Sequence, residues 1–206
     1  MGGAAPAQAG RIVYQLVNAL IAAIDPSSFY RDLPTLETGR LRLRKLRKDD
    51  AGAYFAFGGD PQVTRYLRWG PHASIEVTEN YLCEVLQGYQ DGSDGSWGIE
   101  LKTDHRLIGT THLMGIDPRN QKADIGVVLG RAYWGQGIGS EALARVLAFC
   151  FDEMGLNRVQ GLPIVGNTAA RRMMEKCGMV YEGTLRQYAF QKGKFQDFDL
   201  LAKLKE

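Results

Sequence analysis

The sequence has few of the residues that build metal centres and disulfide scaffolds. It contains 3 cysteines and 3 histidines in 206 residues. Cys83, Cys150 and Cys177 form no CxxC pair and have no histidine close to them, which excludes a zinc motif and a disulfide framework. An odd number of free thiols is typical of a reducing compartment. We therefore expect no metal site and a cytoplasmic protein.

The chain also has little net charge and no long apolar run. Lysine and arginine total 25 against 23 aspartates and glutamates, which gives a formal net charge of +2. Proteins that follow a phosphate backbone usually carry a marked basic excess, so we expect no nucleic-acid partner. The most apolar N-terminal run covers residues 12–24 and is interrupted by polar side chains. It is too short to cross a bilayer, so we expect no membrane partner either.

The composition itself, with 45% hydrophobic and 23% charged residues, is that of a folded protein. Apolar residues recur every three to four positions over Arg11–Ile24 and predict an amphipathic helix, which Pro26 ends. We expect residues 1–33 to form a tail and this helix, and residues 34–206 to form one domain. The helix is expected to dock on that domain or on a second subunit, which makes a homodimer one candidate assembly.

Hydrophobic periodicity predicts a strand, then helices, then three strands, and then a glycine-rich turn into a further helix. The first strand is expected at residues 41–46, and Asp49 or Asp50 is expected to cap the helix after it. The helices and strands that follow are expected at Gln62–Leu67, Ser74–Tyr89, Trp97–Lys102, Arg106–Met114 and Lys122–Leu129.

The glycine-rich turn is the most informative segment. Gly135, Gly137 and Gly139 alternate between a strand that ends near Leu129 and a helix that begins near Ser140. Glycines let backbone N–H groups converge, and the helix N-terminus adds partial positive charge, so the turn predicts a phosphate or pyrophosphate site. It lacks the lysine of a P-loop, and its third glycine comes one residue too early for a dinucleotide fingerprint. A turn without a ligand is the alternative at this point.

Residues 134–139 resemble the (Arg/Gln)-x-x-Gly-x-(Gly/Ala) signature of the GNAT superfamily of acyl-CoA-dependent N-acyltransferases, with Trp134 at the first position. This Trp-Gly-x-Gly version of the signature resembles the one in the branch of ribosomal-protein (Rim-type) N-acetyltransferases. The resemblance covers Leu33 to the C-terminus. Further stretches that resemble this branch are residues 36–44, 60–67, 123–126, 167–179 and 181–186.

This resemblance implies an α+β (mixed α/β) fold. The central sheet is expected to have seven strands, mostly antiparallel, with about four flanking helices. It is expected to splay between its fourth and fifth strands and so admit the acyl-pantetheine arm of acetyl-CoA. Residues 158–165 would form the fifth strand, with Pro163 inside it, and Gly126 would mark a bulge that opens the gap.

The implied reaction is transfer of acetyl from acetyl-CoA to a primary amine by direct attack in a ternary complex, without metal. A peptide or protein N-terminus is the first choice of acceptor, and a small amine such as an amino acid, a polyamine or a drug is the second. A catalytically silent acyl-CoA-binding domain is the rival from another class. Two absences motivate it, because the family's usual tyrosine and serine positions hold Met174 and Ala170 here.

The resemblance also implies which residues bind CoA. Backbone N–H groups of Val127, Val128 and Leu129 would polarise the acyl carbonyl. Asn167 would cap the following helix and also bind pantetheine, while Arg172 would reach the 3′-phosphate, with Arg171 and Arg131 as further candidates. The pyrophosphate would lie on Trp134, Gly135, Gln136, Gly137, Ile138, Gly139 and Ser140.

Acetyl transfer further needs a base, an acid and an acceptor surface. Asp124 is the first candidate base and Glu100, on the second strand, its rival, with His72 and His112 as weaker candidates. Tyr188, Tyr133 or water would protonate the leaving thiolate. The side chains expected to face the acceptor are Tyr66, Arg68, Trp69 and Trp97, with Arg65 and Tyr188 nearby.

Overall fold

A computed structural model describes residues 25–206 of the chain. The helix expected over Arg11–Ile24 lies outside these residues. The first described helix, α1, covers Pro26–Arg31, where Asp25 accepts a hydrogen bond from the Ser27 N–H at 3.0 Å. Asp25 and Pro26 therefore begin a helix, whereas the sequence suggested only the end of one. Since Tyr30 is buried in the core, packing starts before residue 34.

Eight strands form one sheet in the order β1-β2-β3-β4-β5-β6-β8-β7. The two-residue strand β1 was not expected, and it adds the eighth strand by pairing with β2. Every pairing is antiparallel except that of β5 with β6, so the predicted mixed, mostly antiparallel sheet is confirmed. The strands are Leu36–Glu37, Leu41–Arg44, Ser96–Leu101, Leu107–Asp117, Lys122–Leu129, Arg158–Gly161, Val180–Gln191 and Lys194–Leu204.

Five further α-helices complete the described fold, which makes six where about four were expected. Helices α2 and α4 pack against each other, and α2 also contacts β4. Helix α5 packs against β5 and α6, and it continues into a π-helical turn over Phe149–Glu153. The bounds are Ala51–Gly58 for α2, Pro61–Thr64 for α3, Ile75–Asp91 for α4, Ile138–Ala148 for α5 and Thr168–Lys176 for α6.

A gap opens in the sheet between β5 and β6, which are the fourth and fifth strands of the predicted fold. The two strands pair only where Lys122–Asp124 faces Arg158–Gln160. Beyond Gly161 the chain stays hydrogen-bonded to β8, the other neighbour of β6, and the Pro163 carbonyl accepts a hydrogen bond from the Asp199 N–H at 2.9 Å. The side of β5 that faces away from β4 therefore has no strand partner beyond Asp124 within the described residues.

Two details of this gap differ from expectation. Strand β6 ends at Gly161, so Pro163 lies beyond the strand and not inside it. Gly126 is no bulge, because its pairing with β4 keeps regular register, and the irregularity lies further along, between Met114 and Asp117. The gap arises because the segment after β6 joins β8 by hydrogen bonds instead of continuing beside β5.

Candidate active site

The glycine-rich loop connects β5 to α5 and is braced by its own side chains. The Trp134 indole N–H donates to the Leu129 carbonyl at 2.7 Å, and the Gln136 amide donates to the Ala132 carbonyl at 2.8 Å. Gly135 and Gly137 both have φ of +74°, a conformation that other residues rarely adopt. Gly137 is the N-cap of α5, so the first-turn N–H groups of this helix are available to an anion.

Gly139 has a different role from the two glycines before it. A Cβ atom at this position would come within 2.8 Å of the Met173 sulfur, so glycine allows α5 to pack closely against α6. The side chain of Met174 is buried above Gly161, where a Cβ atom would meet its terminal methyl at 2.5 Å. Met174 is therefore a core residue, at the position where the resemblance implied a tyrosine.

Val127, Val128 and Leu129 form the part of β5 that lines the gap and leads into the glycine-rich loop. Alternate backbone N–H groups of a strand point to opposite edges, so this unpaired edge offers hydrogen-bond donors to a bound group. Asn167 lies on the β6 side of the gap. Its Oδ1 accepts from the Ala170 N–H at 3.2 Å and caps α6, which accounts for the oxygen of its amide and leaves the amide nitrogen for other contacts.

Asp124 is the last residue of β5 that pairs with β6, so it lies at the mouth of the gap. It is half-buried and faces Met114 on β4 and Gln160 on β6. The neighbouring Arg158 binds Glu182 through both terminal nitrogens, at 2.9 and 2.5 Å. These hydrogen bonds, and the charge of Asp124, raise the pKa of Arg158 above its usual value, so a full positive charge stands beside the Asp124 carboxylate.

Glu100, the rival candidate, serves a structural ion-pair cluster. Its carboxylate is buried and binds the guanidinium groups of Arg44 and Arg42 and the His105 ring. Arg44 also donates to both oxygens of Asp50 at 2.8 Å. Burial alone would raise the pKa of Glu100, but the hydrogen bonds from Arg44 and His105 outweigh it and hold the pKa below its usual value. Glu100 lies two strands from β5, away from the gap, so we reject it as the base.

Trp97 was expected to face the acceptor, but the structure places it in the core. The side chain is fully buried, with 0% exposure. Its ring packs against Phe29 and Phe149, and its indole N–H donates to the Pro34 carbonyl at 2.7 Å. Trp97 is therefore a core residue that anchors the start of the described chain.

The remaining acceptor candidates lie on a segment that contacts the β6 side of the gap at its far end. The Tyr66 hydroxyl donates to the Gly166 carbonyl at 3.2 Å, next to Asn167. Lys192, at the turn between β7 and β8, donates to the Thr64 carbonyl at 2.7 Å. These contacts join the segment 64–69, the β7–β8 hairpin and the loop before α6. The same segment carries Arg65, Arg68 and Trp69, of which the two arginines are exposed.

Tyr188 lies on the same side of the gap, at the irregularity of the β7–β8 hairpin. Its side chain is half exposed, and its ring packs edge-on against Phe198 with centroids 5.5 Å apart. Phe198 in turn pairs with Ile164 in the segment that leaves β6.

His72, a weaker candidate for the base, has a packing role. Its ring packs among aromatic side chains between α2 and α4 and hydrogen-bonds Thr78 at 2.8 Å.

Of the three candidate arginines for a 3′-phosphate, two are engaged elsewhere. Arg171 binds Glu175 at 2.9 Å and Asp199 at 3.2 Å, and Arg131 binds Asp60 at 2.9 Å. Arg172, in the first turns of α6, is exposed and has no ion-pair partner within the described residues. Arg172 is therefore the freest of the three.

His112 lies on β4, directly opposite Gly126 of β5. Its Nδ1 lies 2.7 Å from the Ser96 hydroxyl and its Nε2 lies 3.2 Å from the Thr110 hydroxyl. Desolvation lowers the pKa of His112 below the usual value of 6.5, against a smaller opposing effect of the Asp94 charge. The imidazole is therefore neutral at pH 7, hydrogen-bonded inside the sheet.

This shift predicts a pH dependence of stability. Because the unfolded chain binds a proton at His112 near pH 6.5 and the folded chain binds it at lower pH, stability falls as the pH falls below about 6.5. The expected loss is about 1.4 kcal/mol of unfolding free energy for each pH unit between the two pKa values. Urea unfolding of the wild type and His112→Gln between pH 5 and pH 8 checks this. The variant should have the shallower slope below pH 6.5, and equal slopes would contradict the assignment.

Comparisons with known proteins agree with this geometry. The profile of the acetyltransferase (GNAT) domain matches residues 40–180 of the chain. The uncharacterized N-acetyltransferase YoaA of Bacillus subtilis (strain 168) is 33% identical over 172 residues, which cover 84% of this chain and 97% of that protein. The chain belongs to the GNAT family of acetyltransferases.

Two further similar proteins are named for different acceptors. The putative ribosomal N-acetyltransferase YdaF of Bacillus subtilis (strain 168) is 34% identical over 110 residues, 52% of this chain and 60% of that protein. The crystal structure of spermidine N-acetyltransferase from Vibrio cholerae in complex with CoA and spermine has a TM-score of 0.69 and 23% identity, and the match covers 82% of this chain and 97% of that one. The predicted family and fold class are confirmed, and the chain is an acetyltransferase.

The described part of this GNAT chain shows neither of two other features. None of its helices is both long and apolar enough to cross a membrane, and it has no group of three or more His, Cys, Asp or Glu side chains that could hold a metal ion.

Two contacts near the site were not predicted from the sequence. Arg40 contacts the glycine-rich loop, and Lys192 contacts Thr64. An acidic residue in the first turn of α5, Glu141, is a signal that a cationic partner lies nearby.

Proposed function

We propose that this GNAT protein transfers acetyl from acetyl-CoA to a primary amine, by direct attack of the amine within a ternary complex. The observation that carries the proposal is the continuity of three features. The unpaired edge of β5 begins just after Asp124 and runs directly into the glycine-rich loop and the N-terminus of α5. Acetyl-CoA supplies the acetyl group as a thioester when it is bound.

Each part of this edge has a separate task. The N–H groups at the start of α5 and in the glycine-rich loop bind the pyrophosphate. The unpaired backbone N–H groups of residues 127–129 polarise the carbonyl oxygen of the acetyl group. Asn167 bonds the pantetheine arm through its amide nitrogen, and Arg172 binds the 3′-phosphate. The two walls of the gap thus hold the thioester in a fixed orientation.

Asp124 acts as the general base. A protonated amine has no lone pair for attack, so a group near the reacting carbon must accept its proton. Asp124 is half-buried at the point where the gap opens, and this position supports its assignment as the base. The proton of the leaving thiol comes from Tyr188 or from water. A thiolate is a good leaving group, with a free thiol pKa of about 8.5, so this step makes a small demand on an acid.

The acceptor is a peptide or protein N-terminus. Segment 64–69 contains Arg65 and Arg68 and no carboxylate, and the hairpin tip 192–195 contains Lys192 and Lys194 and no carboxylate. Positive charge at this surface attracts the carboxylates of a peptide and repels a polyamine, which is itself a polycation. This charge is the observation that ranks peptides above spermidine-like amines for this chain.

An acceptor panel tests the proposal. Release of free CoA is followed with N-terminally acidic, neutral and lysine-rich peptides, with amino acids and with spermidine. We expect the acidic peptides to be acetylated fastest and spermidine at least about tenfold more slowly, because unfavourable charge pairing costs binding. A protein that binds acetyl-CoA by calorimetry and acetylates none of these amines would instead be a silent acyl-CoA-binding domain.

A further inference from the structure

An ion-pair cluster joins the turn between β1 and β2 to the glycine-rich loop. The Glu141 carboxylate, in the first turn of α5, accepts hydrogen bonds from the Thr38 hydroxyl, the Arg40 backbone N–H and the Arg40 Nε. Arg40 Nη1 donates to the Gln136 carbonyl at 3.1 Å. These hydrogen bonds hold the turn between β1 and β2 against the glycine-rich loop.

The loop itself has no cation to spare for an anion. Arg131 is the only basic residue in positions 130–141, and its guanidinium binds Asp60 at 2.9 Å. Glu141 adds a negative charge within the same segment. A pyrophosphate bound by backbone N–H groups would retain much of its charge, so a cation from another part of the chain would stabilise it.

Arg40 is the side chain in position to do so. Its Nη2 lies 3.7 Å from the point where a Cβ atom on Gly137 would stand, and the side chain is about half exposed at 49%. A guanidinium has five N–H donors, of which Glu141 and Gln136 use one each. Nη2 has no hydrogen-bond partner among residues 25–206, so its two N–H groups are open beside the N-cap of α5.

Glu141 orients this guanidinium. Burial alone would raise the pKa of Glu141, but the hydrogen bonds from Thr38 and Arg40 outweigh it and hold the pKa below its usual value. The carboxylate is therefore ionised at neutral pH. An ionised carboxylate at 2.6 Å fixes the plane of the guanidinium, which directs its remaining donors along the loop.

We propose that Arg40 binds the pyrophosphate of the acyl-CoA, together with the N–H groups at Gly137 and the first turn of α5, and that Glu141 is the positioning residue for Arg40. This inference rests on the proposed function, because it takes acetyl-CoA as the ligand of the loop. It adds a ligand-binding residue from a turn about a hundred positions away from the glycines in sequence.

Calorimetric titration with acetyl-CoA and with its 3′-dephospho form tests the assignment. Arg40→Met removes the charge and keeps the length of the stem. It should weaken both ligands by the same factor of about 10 to 100, the range for loss of charge-assisted hydrogen bonds. Arg42→Met is the matched control, since Arg42 lies two residues further on, within β2, and pairs with Glu37 and Glu100, away from the loop. It should bind both ligands within about twofold of the wild type.

Further variants separate contact from support of the loop. Thr38→Val removes the hydrogen bond to Glu141 and the acceptor of the Leu41 N–H, but it leaves the Arg40 charge, so it should weaken acetyl-CoA binding by less than about threefold. Arg40→Lys should fall between wild type and Arg40→Met. Melting temperatures are measured first, and Arg40→Lys carries the test if Arg40→Met does not fold. Arg40→Met affinity within twofold of a wild type that binds, or a Thr38→Val loss equal to that of Arg40→Met, overturns the inference. A wild type that binds no acetyl-CoA overturns the proposed function instead.

Discussion

Gly137→Val is expected to weaken acetyl-CoA binding by at least about 100-fold. Gly137 is the N-cap of α5 with φ of +74°, and a β-branched residue is strongly disfavoured there. The new Cβ atom would stand 3.7 Å from Arg40 Nη2, in the space between the guanidinium and the helix N-terminus. Its methyl groups would keep the pyrophosphate away from both sets of donors. Loss of several charge-assisted hydrogen bonds at once accounts for the size of the effect.

A second glycine provides the matched control for backbone strain. Gly155 has φ of +70° and nothing within 4 Å of its Cβ position, and it lies at the other end of α5, beyond the π-helical turn. Gly155→Val should therefore lower the melting temperature to a similar degree and leave acetyl-CoA affinity unchanged. Calorimetry on both folded variants gives the comparison. If Gly137→Val binds as tightly as Gly155→Val, the loop is not the pyrophosphate site.

Features that depend on adjacent residues could be predicted from the sequence. Strand β5 has the predicted bounds, because its alternating apolar residues are flanked by turn residues at both ends. The glycine-rich loop and the start of α5 near Ser140 were expected for a similar reason, since glycines followed by a periodic apolar stripe mark a strand–turn–helix junction. The same local logic explains the capping of α6 by Asn167.

Features that depend on distant residues could not be predicted in this way. Trp97 becomes a core residue because α1 brings Phe29 onto its ring, and the helix α1 begins at an Asp-Pro pair that suggested only the end of a helix. Glu100 is neutralised by Arg44, which is 56 positions away in sequence. Charge pattern along the chain gives no measure of such pairing, so a buried structural carboxylate and a catalytic one have the same sequence signal.

Asp124→Asn is expected to lower kcat by about 10²- to 10⁴-fold, the usual contribution of a general base, with little change in acetyl-CoA affinity. Asparagine keeps the size and shape of the side chain at the mouth of the gap but accepts no proton from an ammonium group. The acetyl-CoA site is formed by other residues, so its Kd should stay within about twofold. The kcat is measured from the rate of CoA release with the best peptide acceptor, and the Kd is measured by calorimetry with acetyl-CoA alone.

The control must address the charge of Arg158, since Asp124 helps to raise the pKa of this residue. Glu182→Gln removes the other carboxylate that faces Arg158, the one bound at 2.9 and 2.5 Å, and leaves the proposed base intact. Its kcat should remain within about threefold of wild type, because the ion pair is partly exposed to solvent, with 23% exposure for Arg158 and 37% for Glu182, and Glu182 is on β7, outside the gap. If Glu182→Gln slows the reaction as much as Asp124→Asn, the cluster around Arg158 supports the structure of the gap and Asp124 does not carry the proton. A near-normal rate in Asp124→Asn would leave proton removal to a water chain, because Glu100 is held in its ion pairs two strands away.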